Sequence, residues 1–241
     1  MSALSPAPRR SSLSWRPISL GVVLTYLLVA YVILPQWGKE KALWHPDRLD
    51  GARLTHTAGG LPGDPLNISF VGSAEEIGQS LLATGWKPAT ALGFKSDIKI
   101  AVDTVLGQPD PNAPVSNLFL FGRKEDVAYE KPIGHSPRER HHMRLWKTTE
   151  QEGGRAVWIG GATQDVGVEL SHTTEQVTHR ISPEVDAERD FILAELTAAG
   201  RLSGIRWIDA FHKERQGRNG GGDPWHTDGR LPVAMLRPAS P

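Results

Sequence analysis

No cysteine occurs in the 241 residues. Disulfides, thiolate zinc centres and a cysteine nucleophile are therefore excluded, and the redox compartment stays open. Excess charge is missing as well: 27 basic residues face 27 acidic ones, so no global basic field exists to hold nucleic acid. The chain also lacks an HExxH zinc motif, a GxSxG nucleophile elbow, a phosphate loop, a GxGxxG turn and a serine-glycine-histidine phosphatase core. No internal repeat is present. What the chain does have is one long apolar run, many turn residues and one dense basic cluster.

The apolar run, Ile18 to Leu34, reads ISLGVVLTYLLVAYVIL and carries no charge. At 1.5 Å per residue it would span about 26 Å, near the lower limit for crossing a hydrocarbon core. Trp15 and Trp37 sit where interfacial tryptophans belong, and Pro17 and Pro35 bound the stretch. A cleaved signal peptide is the alternative, with Arg9, Arg10 and Arg16 as its basic region, but no small-x-small cleavage site follows. The expectation is an uncleaved anchor, so that the bilayer itself is a partner. Lys39, Lys41 and Arg48 balance the arginines before the span, so charge does not fix orientation. The short leading tail favours a cytoplasmic N-terminus and a C-terminal domain on the outer side.

The expected organisation is a tail (1–17), the anchor (18–34), a linker (35–63), one domain (64–212) and a disordered tail (213–241) rich in glycine and proline. About 150 domain residues suffice for a core without staples. Ser73 and Glu76 form a capping-box pattern for a helix over 74–84 that ends at Gly85. A second helix is expected over 98–106, and a third over 183–199, with Ser182 as cap and Pro183 at its first position. Strands are expected in 65–72, 116–121, 139–147, 155–161, 175–181 and 205–211, with 148–154 as a hairpin loop. Strands and helices do not alternate regularly. The fold class is therefore α+β: a mixed, mostly antiparallel sheet with packed helices, preceded by one transmembrane helix.

The basic cluster is Arg138-x-Arg140-His141-His142-x-Arg144-Leu145-Trp146. Period-two alternation puts Arg140, His142, Arg144 and Trp146 on one strand face, and His141, Met143 and Leu145 on the other, which is the natural core face. Arginines two residues apart project in parallel, and with an imidazole between them they suit a phosphate or carboxylate. The plainer reading is a solvated face of arginines paired with acids. A second cluster joins His179 to Asp186, Glu188, Arg189 and Asp190 at the start of the third helix. There His179 could be a general base, or a metal ligand beside His142 or His141, although the spacing fits no strong metal class. The plainer reading is ordinary pairing within the helix. Asp165 is the third candidate, against a turn-forming role. The expected catalytic set is His142, His179 and Asp186. The expected ligand-binding set is Arg123, Arg140, Arg144, Arg189 and Asp165. Nothing identifies a cofactor.

Several of these residues recur in ordered motifs. They run Pro114-Val115-Ser116-x-Leu118-x-Leu120-Phe121-Gly122-Arg123-x-x-Asp126, then Arg140-His141-His142-x-Arg144-Leu145-Trp146. After these come Val157-Trp158-Ile159-Gly160-x-Ala162-Thr163-x-Asp165, His179-x-Ile181 and Asp186-x-Glu188-Arg189-Asp190. In this order they resemble the LssY-like C-terminal domain over about residues 64–212. The resemblance implies a bacterial envelope protein, since the family takes its name from a protein of a type I secretion locus. Relatives carry the domain behind an anchor or fused to multi-span modules of the DedA or phosphatidic-acid-phosphatase kind. It supplies no catalytic role for any residue. Two functions are expected: an accessory or binding module for an anionic lipid-related or envelope ligand, or a hydrolase of a phosphorylated or ester-linked envelope substrate.

Overall fold

The computed structural model describes residues 15–29, 53–89, 118–134, 139–170 and 177–238. The expected helix over 98–106 and the last residues of the apolar run lie outside them. The first helix, α1, covers Trp15–Leu28. It starts before Pro17, which a first helical turn tolerates because its N–H would have no partner there. No helix among the described residues is long and apolar enough to cross a membrane.

Strands β1 (Leu54–Thr57), β2 (Pro62–Pro65), β5 (Leu118–Leu120) and β6 (Arg123–Lys124) make a small sheet in the order β2-β1-β5-β6. The larger sheet runs β11-β14-β3-β9-β8-β7-β4, using β3 (Ile68–Val71), β4 (Lys87–Pro88), β7 (Val127–Pro132), β8 (Arg140–Glu152), β9 (Arg155–Leu170), β11 (Leu202–Ile208) and β14 (Leu231–Leu236). β10 (Val177–Ile181) pairs with the far half of β9. Among the described pairs of strands only β14 and β3 run parallel, so the sheet is mixed and mostly antiparallel, as expected.

Helix α2 (Ala74–Ala83) carries the expected capping box: Glu76 N donates to Ser73 Oγ, and Ser73 N donates to the Glu76 carboxylate. Helix α3 (Val185–Ala198) starts two residues later than expected. Glu184 is its cap without a side-chain bond. Ser182 is not the cap: its N–H donates to Gln164 O of β9, which keeps it with the strands two residues ahead of Glu184.

Three boundaries need correction. The 148–154 loop shrinks to Gly153-Gly154, both with positive φ (59° and 77°), a two-residue turn that lets β8 and β9 extend. The linker is strand from Leu54, because β1 and β2 complete the small sheet. The tail expected to be disordered instead forms β12 (Gln216–Arg218), β13 (Pro224–His226) and β14. β14 is the buried apolar run LPVAML, seated between β3 and β11.

The large sheet is covered on both faces. Ile77 and Leu81 of α2 and Ile192, Leu193 and Leu196 of α3 pack with Ile68, Phe70, Met143 and Leu145. On the opposite face Leu118 and Leu120 of the small sheet pack with Leu66, Trp146, Phe211 and Leu231.

Candidate functional site

Alternation along β8 is as expected, but neither face is solvated. Arg140, His142 and Arg144 are as buried as Met143 and Leu145. β9 is paired so that Thr163 lies opposite His142 and Asp165 opposite Arg140, while β7 brings Glu130 opposite His142. The small sheet supplies Asp64. Gly161, opposite Arg144, makes room for it: a Cβ there would lie 2.9 Å from Pro65 O, so only glycine lets the β2 backbone approach this closely.

The result is a buried ionic cluster. Arg140 Nε donates to Asp165 Oδ2 at 3.0 Å and Arg140 Nη1 to Glu130 Oε2 at 2.9 Å. Arg144 Nη1 donates to Asp64 Oδ2 at 3.1 Å. The His142 ring stands between two acids. Its Nδ1 is 2.9 Å from Asp165 Oδ1, close but out of line for a hydrogen bond, and its Nε2 is 3.7 Å from Asp64 Oδ2 and 2.7 Å from Thr163 Oγ1. On the solvent side Lys87 lies 3.6 Å from Glu130. His179 of β10 has Nε2 3.5 Å from Arg140 Nη2 and is only partly buried, so the cluster reaches the surface through it.

Protonation follows from these neighbours. Burial alone would raise Asp165, but the His142, His179 and Arg140 charges hold its carboxyl well below the usual range. Burial likewise opposes the ionised form of Asp64, and His142 and Arg144 win by bonding and charge, lowering it. Burial would lower His142, yet the Asp165 charge and the contacts with both acids raise it. Burial lowers His179 to about 4; Arg140, His142 and Arg144 add to that, with Asp165 opposing. The inner imidazole therefore holds a proton more tightly than a free imidazole does, while the outer one is neutral at neutral pH.

The remaining candidates do not join this cluster. Asp186 accepts from Thr227 Oγ1 at 2.9 Å and from the Asp228 N–H, and it pairs with Arg189 at 3.1 Å. Arg189 also pairs with Asp190 and Asp228, and its guanidinium lies 5.0 Å from the Trp207 ring centre. These residues fasten the loop before β14 to α3. Arg123 binds Asp126 and donates to Lys147 O at the rim of the small sheet. The convergence of Asp186 with His142 and His179 that a general-base site would need is absent. The three residues that complete the cluster, Asp64, Glu130 and Thr163, carried no signal in the sequence beyond their types.

Chemically, Asp165, His142 and Thr163 fall in a line that resembles an acid–imidazole–hydroxyl relay. But Thr163 and His142 are both buried, so no substrate can reach the hydroxyl. No group of three or more His, Asp or Glu side chains among the described residues is arranged to hold a metal ion. A family model, LssY C-terminus, matches residues 48–231. No curated protein and no solved structure matches the chain.

Proposed function

The chain belongs to the LssY C-terminus family, and we propose that it is a single-pass, membrane-anchored envelope protein whose domain binds an anionic lipid-related or envelope ligand as an accessory module. The observation that carries this reading over a hydrolase is the closure of the cluster: each buried guanidinium and the His142 imidazole is already answered by a carboxylate. A catalyst needs a base with an open partner. Ligand contact then falls to β10, where His179 is half-buried with Arg140 behind it and Arg180 is exposed. The exposed, permanently charged guanidinium of Arg180 at the strand rim suits a phosphate or carboxylate. The anchor rests on the uncharged run 18–34 and on α1, which presents Val22, Val23, Leu24 and Leu28 outward.

The test uses the full chain in nanodiscs of phosphatidylglycerol or of phosphatidylcholine. Hydrogen exchange over 177–182 slows in the anionic discs, and Arg180→Glu abolishes the difference. Equal exchange in both lipids sinks the ligand reading. Release of the chain from membranes by alkaline carbonate sinks the anchor.

A further inference from the structure

The two sheets are joined through an apolar layer, but at one end the contact is ionic. There Asp64 of β2 meets β8 and β9 across His142. We propose that His142 is a proton-operated latch between the sheets: its imidazolium holds Asp64 of β2 against Asp165 of β9, and loss of that proton frees β2 and loosens the small sheet.

The geometry assigns the ring this role. It is the one imidazole of the cluster with a carboxylate beside each nitrogen, at 2.9 Å and 3.7 Å. A neutral ring carries one N–H, so deprotonation leaves one of the two acids facing a lone pair. Thr163 Oγ1, 2.7 Å from Nε2, accommodates both states, because a hydroxyl accepts from an N–H and donates to a lone pair. The other charges facing the ring are Arg140 and Arg144 on its own strand, Glu130 on β7 and His179 on β10, with Lys87 of β4 beyond Glu130. A guanidinium is a permanent cation, and His179 is neutral above about pH 4. His142 is therefore the group of the cluster whose charge changes above the ordinary imidazole range. Asp64 keeps Arg144 after that change, so β2 loosens without the domain unfolding. The far end of the small sheet is held separately, by Trp146 Nε1 donating to Arg123 O at 3.1 Å and by Lys147 N donating to Asp126 at 2.6 Å. Release is thus confined to the β2 end, over Leu66 and Trp146 of the apolar layer.

His142 is raised in the folded protein. Its contribution is complete below its unfolded value, about 6.5, and is lost as pH rises through the higher folded value. Hydrogen exchange of the full chain in detergent, corrected for intrinsic rates, reads this directly between pH 6 and 9. Protection over 54–65 falls as pH rises, while protection over 185–198 holds. His142→Gln removes the pH step and leaves 54–65 at its open level. Asp64→Asn lowers the midpoint, since the proton loses one of its acids. Constant protection over 54–65 in the native chain overturns the latch, as does a native pH step in His142→Gln. If His142→Gln fails to fold, an unmoved midpoint in Asp64→Asn overturns it instead.

Discussion

Met143 and Leu145 of β8 look toward the helices, while Arg140, His142 and Arg144, alternating with them, look toward the small sheet. Both faces are buried to the same degree, yet they hold the molecule in different ways. The helix face works by area: fully burying a side chain the size of Leu or Met contributes about 1.5–3 kcal/mol, and dispersion is indifferent to which neighbour supplies it. The ionic face gains little net, because the attraction between buried charges is largely offset by their desolvation. What it adds is register. Arg140 reaches both Asp165 and Glu130 only when β7, β8 and β9 are paired as they are, and a one-residue slip would turn every charge into the helix core. One face therefore tolerates exchange of similar volumes, and the other tolerates nothing short of wholesale replacement.

The largest expected effect follows from that contrast. Asp165→Ala leaves Arg140 short of one acid and the His142 proton without its nearest partner, and should destabilise by about 3–5 kcal/mol in urea denaturation. Met143→Leu, equally buried, should stay under about 1.5 kcal/mol. Replacing His142 and Asp165 together by leucine should recover part of the loss. If the single and paired changes are equally damaging, the cluster is no set of mutually compensating charges.

Much of this was legible in the residues. The Ser73–Glu76 capping box, the α+β class and the alternation along 140–146 read directly, because each depends on neighbours in sequence. What covers the polar face did not, because Asp64 lies 80 residues from Arg144 and reaches it only through the Gly161 approach. Glycine-rich composition also concealed β14: the run Leu231–Leu236 has strand length and apolar content, but Gly220-Gly221-Gly222 and the prolines nearby outweighed it. Asp186 was drawn to His179 by its place at a helix start, while its partners Thr227 and Asp228 lie in the part expected to be disordered.

A smaller effect tests how closely the sheets must approach. Gly161→Ala puts a methyl group 2.9 Å from Pro65 O, and backbone moves less readily than a side chain. A loss of about 1–3 kcal/mol is expected, together with a downward shift of the alkaline step in β2 exchange as Asp64 is pushed off His142. Unchanged stability would mean that β2 is already loosely held.

His179 sharpens the comparison from the acid side. Its folded value is about 4 against 6.5 for an ordinary imidazole, so the unfolded chain takes up a proton first as pH falls. Stability is full above about 6.5 and is lost progressively down to 4, the reverse of His142. His179→Gln should flatten urea midpoints between pH 6.5 and 4 and leave the alkaline side untouched. A variant that keeps the native acid slope would place the titration elsewhere.

Arg123 should show the smallest effect, and for a reason that separates rim from cluster. Its side chain is 39% exposed and its partner Asp126 33%, so solvent screens the pair and the ordering of a long side chain offsets much of the gain. Its guanidinium also donates to Lys147 O, a carbonyl at the rim that water can reach. Its best-buried contact is made by the backbone: Trp146 Nε1 donates to Arg123 O, which alanine retains. Asp126 likewise keeps its bond from the Lys147 N–H. Arg123→Ala should therefore cost under about 1 kcal/mol, with less effect still at high salt. A loss approaching that of Asp165→Ala would mean that the rim of the small sheet, and not its ionic end, carries the junction between the sheets.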